Sequence, residues 1–398
     1  MKKNILHTPD GVRDLYNEQC ENKLYLEHQF RKVLRRFGYH PIQTPTLEFF
    51  DVFNSQVGSV SSKDMYKLFD RDGNTMVIRP DITPSIARCV SKYYPETKMP
   101  VRMYYLGNTF VNNSNYQGRL KEVTQVGAEL INSADVDGDA EMIMMMIHAL
   151  LNAGLDEFQI SIGHAGFFEG LVKATNLGDE LTQQITDLIL NRNFWGVKEL
   201  IAPLDLDDDL KELFGRMGDL YPDGESLLKL LPYANHYPNV KEAIHRLNDV
   251  YEVLKLYEVT QYVSFDPGMP EMHDYYTGVI FNAYSFGSGE PIAKGGRYDD
   301  LIGHFGKDAS AIGFAIVVDQ ILMALQKQEI KFPKRKNRVL ILYTKEHQKE
   351  AIACAGEHRK KDENVELLLL REDISSAEYE AYIKANNFDT IKRLGEEQ

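Results

Sequence analysis

The chain has 398 residues, 43% hydrophobic and 26% charged, the make-up of a soluble multidomain globular protein and not of a fibre or a disordered tail. Its 45 Lys plus Arg against 59 Asp plus Glu leave a net charge of −14, which lacks the basic footprint of a general nucleic-acid binder. Three scattered cysteines exclude a disulfide framework and a zinc spacing, no apolar h-region follows Met1, and no stretch approaches a membrane span, so a cytoplasmic protein without a metal is expected.

Leu26, Phe30, Val33, Leu34 and Phe37 recur on one helical face over 18–37, and Gly38 stops the run. YHPIQTPTLEFF, with two prolines among β-formers, predicts an extended, irregular segment. Met65–Phe69 and Met76–Ile78 flank Asp72-Gly73-Asn74 as a hairpin, and Thr83-Pro84 supplies an N-cap and N1 proline for a helix carrying Ile86, Val90 and Tyr93. Strands are expected at 101–111 and 120–131, a helix at 139–151 whose Met142, Met144, Met145 and Met146 fill core, and a strand at 158–162.

Over 165–255 the β signal gives way to helical patterns separated by acidic turns such as DLDDD, an inserted or appended helical module. The acidic turn lacks EF-hand spacing and reads as a solvated loop. Strands return at 259–265, 275–286 and 311–315, the last running into a helix through Leu325. KFPKRKNR at 331–338 reads as a basic linker. Alternating β and α signals over 339–398 then predict a small α/β domain. Residues 331–398 carry 14 basic and 13 acidic residues, so the acidic excess resides in the core, residues 1–330.

No P-loop, G-x-S-x-G, H-E-x-x-H or strand-linked G-x-G-x-x-G occurs. The informative stretch is Gln125-Val126-Gly127-Ala128-Glu129: on a strand, Gln125, Gly127 and Glu129 share a face, so an amide and a carboxylate flank either ligand room over Gly127 or a bulge. His273-Asp274-Tyr275-Tyr276-Thr277-Gly278 offers two phenols for a polar ligand or for neighbouring strands. Lys294-Gly295-Gly296-Arg297 reads as a glycine pair at a strand-to-helix turn, serving packing or phosphate binding.

Taken in order, these segments resemble class II aminoacyl-tRNA synthetases of the histidyl-tRNA synthetase family over about residues 7–325. TPDGVRDL matches its opening, GYHPIQTPTLE its first motif, IRPDITPSIAR its Leu-Arg-Pro-Glu-Gly-Thr segment, and YYLGNTFVNNSNYQGRLKEVTQVGAE its second motif. HDYYTGVIF and AKGGRYDDLIGHFG resemble the two histidine-specific motifs, and AIGFAIVVDQIL the third motif. The resemblance implies an α+β fold: an antiparallel sheet flanked by helices, with a helical insertion and a small C-terminal α/β domain.

The departures concern charge. Where the family's second motif places an arginine and then an acidic residue, this chain has Val111 and Asn113; the third-motif arginine is matched by Gln320, and the histidine-specific arginine by Glu271. Asn108 through Gly118 contains no charged residue, whereas adenylate formation requires preorganised cations or magnesium around a phosphate. The positions matching the family's histidine contacts are Asp81, where most synthetases have glutamate, Thr83, Gln125, Glu129, Tyr275 and Tyr276. The carboxylate partner is open between Arg119 and a backbone amide.

A fold that retains amino-acid recognition without ATP chemistry resembles the regulatory subunits of ATP phosphoribosyltransferase, paralogues of histidyl-tRNA synthetase. The resemblance implies a hetero-oligomer with the short-form catalytic subunit, a core dimer formed near residues 41–53, and L-histidine as feedback effector. It implies no catalytic residue, no cofactor, no tRNA and no membrane. A histidyl-tRNA synthetase with an atypical active site and a non-catalytic amino-acid sensor with another partner are the competing readings.

Overall fold

The computed structural model describes residues 6–53, 60–112, 120–175, 177–269, 275–286, 288–333 and 337–395; Asn113, Arg119 and Glu271 lie outside them. The chain divides into two compact units, Met1–Ile330 and Lys331–Gln398. The first begins with α1 (Asn17–Arg36), β1 (His40–Pro41), β2 (Leu47–Phe49), β3 (Tyr66–Phe69), β4 (Thr75–Ile78) and α2 (Thr83–Tyr93). It continues through β5 (Val101–Phe110), β6 (Glu122–Ile131), α3 (Val136–Asn152) and β7 (Phe158–His164). The insertion comprises α4 (Ala165–Thr175), α5 (Asp179–Leu190), α6 (Phe194–Ile201), α7 (Asp208–Gly215), α8 (Gly224–Leu228) and α9 (Pro238–Leu256). Then come β8 (Val263–Phe265), β9 (Val279–Ser285), β10 (Ala293–Arg297), β11 (Ala311–Val317) and α10 (Val318–Lys327).

Eight strands form one sheet in the order β1-β5-β6-β11-β10-β9-β7-β8. The six central strands are antiparallel, and the edge strands β1 and β8 pair in parallel with β5 and β7. Alternation on β6 separates two environments. Val126, Ala128 and Leu130 are buried on the face covered by α1, α3 and α10, where Leu130 meets Gly138 of α3. The helix α2 covers part of the opposite face, through a cluster that includes Ile82, Ile86, Val90, Met103 and Tyr105. The four methionines of α3 are buried, as the sequence predicts for core filler.

Several local expectations change. The helix α2 starts at Thr83, with Ile82 at the cap position and no cap bond from that side chain; instead Asp81 Oδ1 accepts from the amides of Ile82 at 2.6 Å and Thr83 at 3.3 Å. The Thr83 hydroxyl is thereby released for a tertiary contact. Residues 293–297 form an interior strand, paired with β9 and β11, and not a strand-to-helix turn; the glycines are there because a Cβ on Gly295 would sit 2.4 Å from the Phe281 ring and one on Gly296 2.7 Å from the Tyr276 ring. The strand expected at 275–286 begins at Val279, after Tyr275 and Tyr276, and the one expected at 259–265 is a 3₁₀ turn followed by β8. In the acidic turn, Asp207 caps α7.

One buried carboxylate joins the insertion to the sheet. Asp139, in the first turn of α3 and fully buried, accepts Arg297 Nε at 2.9 Å and Nη2 at 2.6 Å from β10, and Arg246 Nε at 2.7 Å from α9. The helix N-terminus adds favourable potential for that charge.

The second unit contains β12 (Arg338–Tyr343), α11 (Gln348–Lys360), β13 (Asn364–Leu369), α12 (Ser376–Asn386) and β14 (Thr390–Leu394). Its parallel sheet, β13-β12-β14, is apolar on both faces, as sheets covered by crossover helices are. Val339 and Ile341 pack against Ala351 and Ala355 of α11, while Leu340 and Leu342 pack against Tyr379 of α12.

Replacing Asp139 with alanine takes from the Arg297 guanidinium, 5% exposed, the buried carboxylate that accepts two of its hydrogen bonds and leaves it the longer contact to Asp299 at 3.3 Å. The expected cost is about 3–5 kcal/mol of stability, measured by urea unfolding.

Candidate functional site

The cavity that carries chemistry lies on the Gln125/Gly127/Glu129 face of β6. It has a volume of about 230 Å³ and is lined by Asp81, Thr83, Gln125, Glu129, Tyr275 and Tyr276, together with Lys294, Gly296, Tyr298, Gly313 and Ala315. The structure thus brings together all six expected contact positions. Val111 lines the same cavity, beside Val60, Val123 and Val317. Gln320, on α10, is absent from the described lining.

Strand register explains the layout. Across β6, β11 and β10, Glu129 pairs with Gly313, which pairs with Gly296; two residues along, Gly127 pairs with Ala315, which pairs with Lys294. Small residues form the floor between larger side chains. A Cβ on Gly313 would stand 1.7 Å from Glu129 Oε2, and one on Gly127 2.4 Å from the Tyr105 hydroxyl. The space over Gly127, expected from sequence to hold a ligand or a bulge, is therefore filled by Tyr105, its unbroken register partner on β5. From Glu129 to Val123 the same face of β6 extends about 20 Å at the usual strand rise.

Glu129 is 1% exposed. Its Oε1 accepts from Thr83 Oγ1 at 2.8 Å and its Oε2 from the Tyr298 hydroxyl. Burial pushes the carboxyl up to about 8, opposed by these two hydrogen bonds and reinforced by the charge of Asp81. Burial also raises Tyr105, Tyr275, Tyr276 and Tyr298, so these phenols stay neutral. Tyr275 meets Tyr276 and Tyr298 edge-on, with centroids 5.1 and 5.8 Å apart. Gln125 Oε1 and the Tyr105 hydroxyl are buried without a hydrogen-bond partner among the described residues, leaving polar capacity on the cavity face.

The valine end contrasts with this polar end. The nearby cation Arg79 is directed at backbone, donating to the carbonyls of Asn108 at 2.8 Å and Thr44 at 2.9 Å, over Gly107, where a Cβ would collide with its Nη2. The described lining next to Val111, Val123 and Val317 supplies no arginine for a phosphate. Sequence reasoning missed Tyr298 as a partner of Glu129 and Lys294 as a lining residue. Period-two spacing of 294, 296 and 298 was the available signal, hidden by reading the glycine pair as a turn.

An antiparallel sheet with this cavity on one face and helices on the other defines a class II aminoacyl-tRNA synthetase-like protein. A family model described as Histidyl-tRNA synthetase matches residues 11–321. The chain is 36% identical to an ATP phosphoribosyltransferase regulatory subunit of Acetivibrio thermocellus, over 98% of this chain and 91% of that one. It is 34% identical to the protein of the same name from Caldanaerobacter subterraneus, over 98% and 100%. A solved Bacillus halodurans structure titled ATP phosphoribosyltransferase regulatory subunit/histidyl-tRNA synthetase superposes with a TM-score of 0.86 at 29% identity, covering 99% of both chains. A histidyl-tRNA synthetase from a Nostoc species, 18% identical with a TM-score of 0.79 over 96% of this chain and 90% of that one, shares the fold. The chain belongs to the ATP phosphoribosyltransferase regulatory subunit family, the histidyl-tRNA synthetase-like branch associated with histidine biosynthesis. Among the described residues, no helix is long and apolar enough to cross a membrane.

Between the ordinary carboxylate range and about 8, the folded chain holds a proton at Glu129 that the unfolded chain has released. This site's contribution to stability therefore falls as pH rises through that window. Thermal melts of wild type and Glu129→Gln at about pH 5.5 and about pH 8.5 are expected to show a smaller alkaline loss in the variant; equal losses would place the proton elsewhere.

Proposed function

We propose that this chain is a non-catalytic regulatory subunit that binds L-histidine in the β6 cavity and transmits feedback inhibition to a short-form ATP phosphoribosyltransferase catalytic subunit in the cytoplasm. One observation carries the reading: a single cavity keeps a polar amino-acid end at Asp81, Gln125, Glu129, Tyr275 and Tyr276, while the end at Val111, Val123 and Val317 is apolar. Glu129 accepts a hydrogen bond from the imidazole, Tyr276 contacts its other edge, and Asp81 with Gln125 holds the α-ammonium. Thr83, bonded to Glu129 and part of the same lining, positions that carboxylate and completes the set of ligand-binding residues. Among the described residues, the lining at the apolar end supplies no cation for charge developing on a phosphate, so neither histidine activation nor tRNA charging is part of the reading.

Inhibition at a distance requires histidine to bind one assembly state more tightly, by about 1–3 kcal/mol in typical systems. Mixing the full chain with a short catalytic subunit is expected to give histidine-sensitive formation of phosphoribosyl-ATP, and Glu129→Ala to abolish that sensitivity while product formation persists. Persistent inhibition in the variant would remove the cavity from the mechanism. An aminoacylation assay with transfer RNA separates the competing reading, since charged tRNA would make the chain a synthetase.

Self-association is proposed through the β2-β4-β3 sheet. Register places Leu47, Ile78 and Tyr66 in one row and Phe49, Met76 and Leu68 in the next. Leu47, Phe49 and Leu68 are 46%, 55% and 43% exposed, an apolar face contiguous with the 41–53 segment and suited to a self-complementary two-fold contact. Phe49→Glu with Leu68→Glu is expected to convert the dimer to monomer in sedimentation equilibrium. An unchanged mass would locate the contact elsewhere.

A further inference from the structure

The tyrosine wall of the cavity is tied to both ends of the insertion. Tyr276 rests on β10, where a Cβ on Gly296 would stand 2.7 Å from its ring. The next two residues are fixed to the neighbouring Arg297. The Thr277 amide donates to the Arg297 carbonyl at 2.8 Å, and Gly278 lies so close to the Arg297 side chain that a Cβ would meet Cδ at 2.8 Å. The Thr277 hydroxyl accepts from the Asp299 amide at 2.9 Å. The Gly278 carbonyl accepts from the amide of Ala165 at 2.9 Å, and Ala165 is the first residue of the insertion.

The last helix of the insertion reaches the same place. Arg246 of α9 donates through Nε to Asp139 Oδ2 at 2.7 Å and through Nη2 to the Ala134 carbonyl at 2.9 Å, while Arg297 occupies Asp139 Oδ1. One buried carboxylate is thus divided between an arginine of the insertion and the arginine on which Thr277 and Gly278 rest. The helices α4 and α9 also pack on each other, with Gly170 against Asn239 and Val240, so the two ends of the insertion form one base. A third contact lies upstream of the tyrosines in the chain, where Arg192, between α5 and α6, donates to Asp266 Oδ2 at 2.6 Å. Supporting contacts of this kind fix the geometry of the groups that touch a ligand.

We propose that Arg246 is a positioning residue: through Asp139 and Arg297 it fixes residues 275–278, and with them the contact of Tyr276 to the ligand's imidazole, so that the insertion sets the affinity of the cavity. This rests on the amino-acid reading of the cavity and deepens it. Arg246 is not part of the described cavity lining, so it acts on the ligand through other residues. Coupling free energies are reciprocal. A protein that grips the insertion therefore changes histidine affinity, and histidine in turn changes the hold on the insertion.

Isothermal titration of the full chain with L-histidine, run as a double-mutant cycle, tests the role. Arg246→Met keeps the Asp139–Arg297 pair and is expected to weaken histidine by about 5- to 20-fold, within the span of coupled neighbouring groups. In a Tyr276→Phe background the same change is expected to cost less than about twofold. In a Gln125→Ala background it keeps its full factor, because Gln125 stands on β6, outside the tyrosine segment. Arg246→Lys retains the charge without the forked donors and is expected to fall between wild type and Arg246→Met. Should Arg246→Met fail to fold, the cycle is run with lysine, and the same non-additive pattern is expected. A factor that does not shrink in Tyr276→Phe, or that shrinks equally in Gln125→Ala, marks a general structural loss and overturns the positioning role. Unchanged binding in Arg246→Met overturns it as well, and each of these results leaves the amino-acid site in place. A wild-type chain that does not bind histidine overturns the underlying reading together with this one.

Discussion

The site depends on one buried carboxylate. Glu129 is held between Thr83 at the start of α2 and Tyr298 just beyond β10, and it lies over Gly313 of β11 so closely that no larger residue fits there. Four segments distant in sequence are tied to a single side chain, which burial keeps near the boundary between its acid and its base form. A buried group of this kind is costly unless its lone pairs are satisfied. The tyrosines and glycines around it follow from that requirement: phenols supply donors and ring surface, and glycines supply the space into which side chains lean.

The same reasoning extends to the second buried carboxylate. Asp139 gathers Arg297 from the strand that precedes Tyr298 and Arg246 from the last helix of the insertion. The insertion is thus attached at the residue next to the donor that holds Glu129. The Glu129 cavity has a short covalent and hydrogen-bonded connection to α9, through Tyr298, Arg297 and Asp139. Spatial continuity of this type offers a route without establishing a coupling energy.

The polar and apolar ends of the cavity meet different physical demands within a synthetase-like frame. Ground-state recognition of a small amino acid needs a few well-placed donors and acceptors. Acceleration of phosphoryl or acyl transfer needs charge aimed at groups that change in the transition state. The two demands fall on different residues: along β6, Val123 lines the apolar end of the cavity, and Gln125 and Glu129 line the polar end.

Sequence alone determined the elements whose signal is local: the α1 stripe, the buried methionines of α3, the insertion's helices, the alternating tail, and the shared face of Gln125, Gly127 and Glu129. It also pointed to the six expected positions that line one cavity, because they fall in motifs whose order along the chain is itself legible. Only the tertiary structure decided what fills the space over Gly127, because Tyr105 arrives there from another strand through register, which no local pattern encodes. It likewise turned 293–297 from an expected turn into an interior strand, since glycine frees the backbone while the rings of Phe281 and Tyr276 require the missing Cβ. The placement of Lys294 beside the cavity and the capture of Thr83 by Glu129 are pairings of residues far apart in the chain. Local propensity fixes an element and its apolar face, whereas long-range register and burial decide which side chains meet.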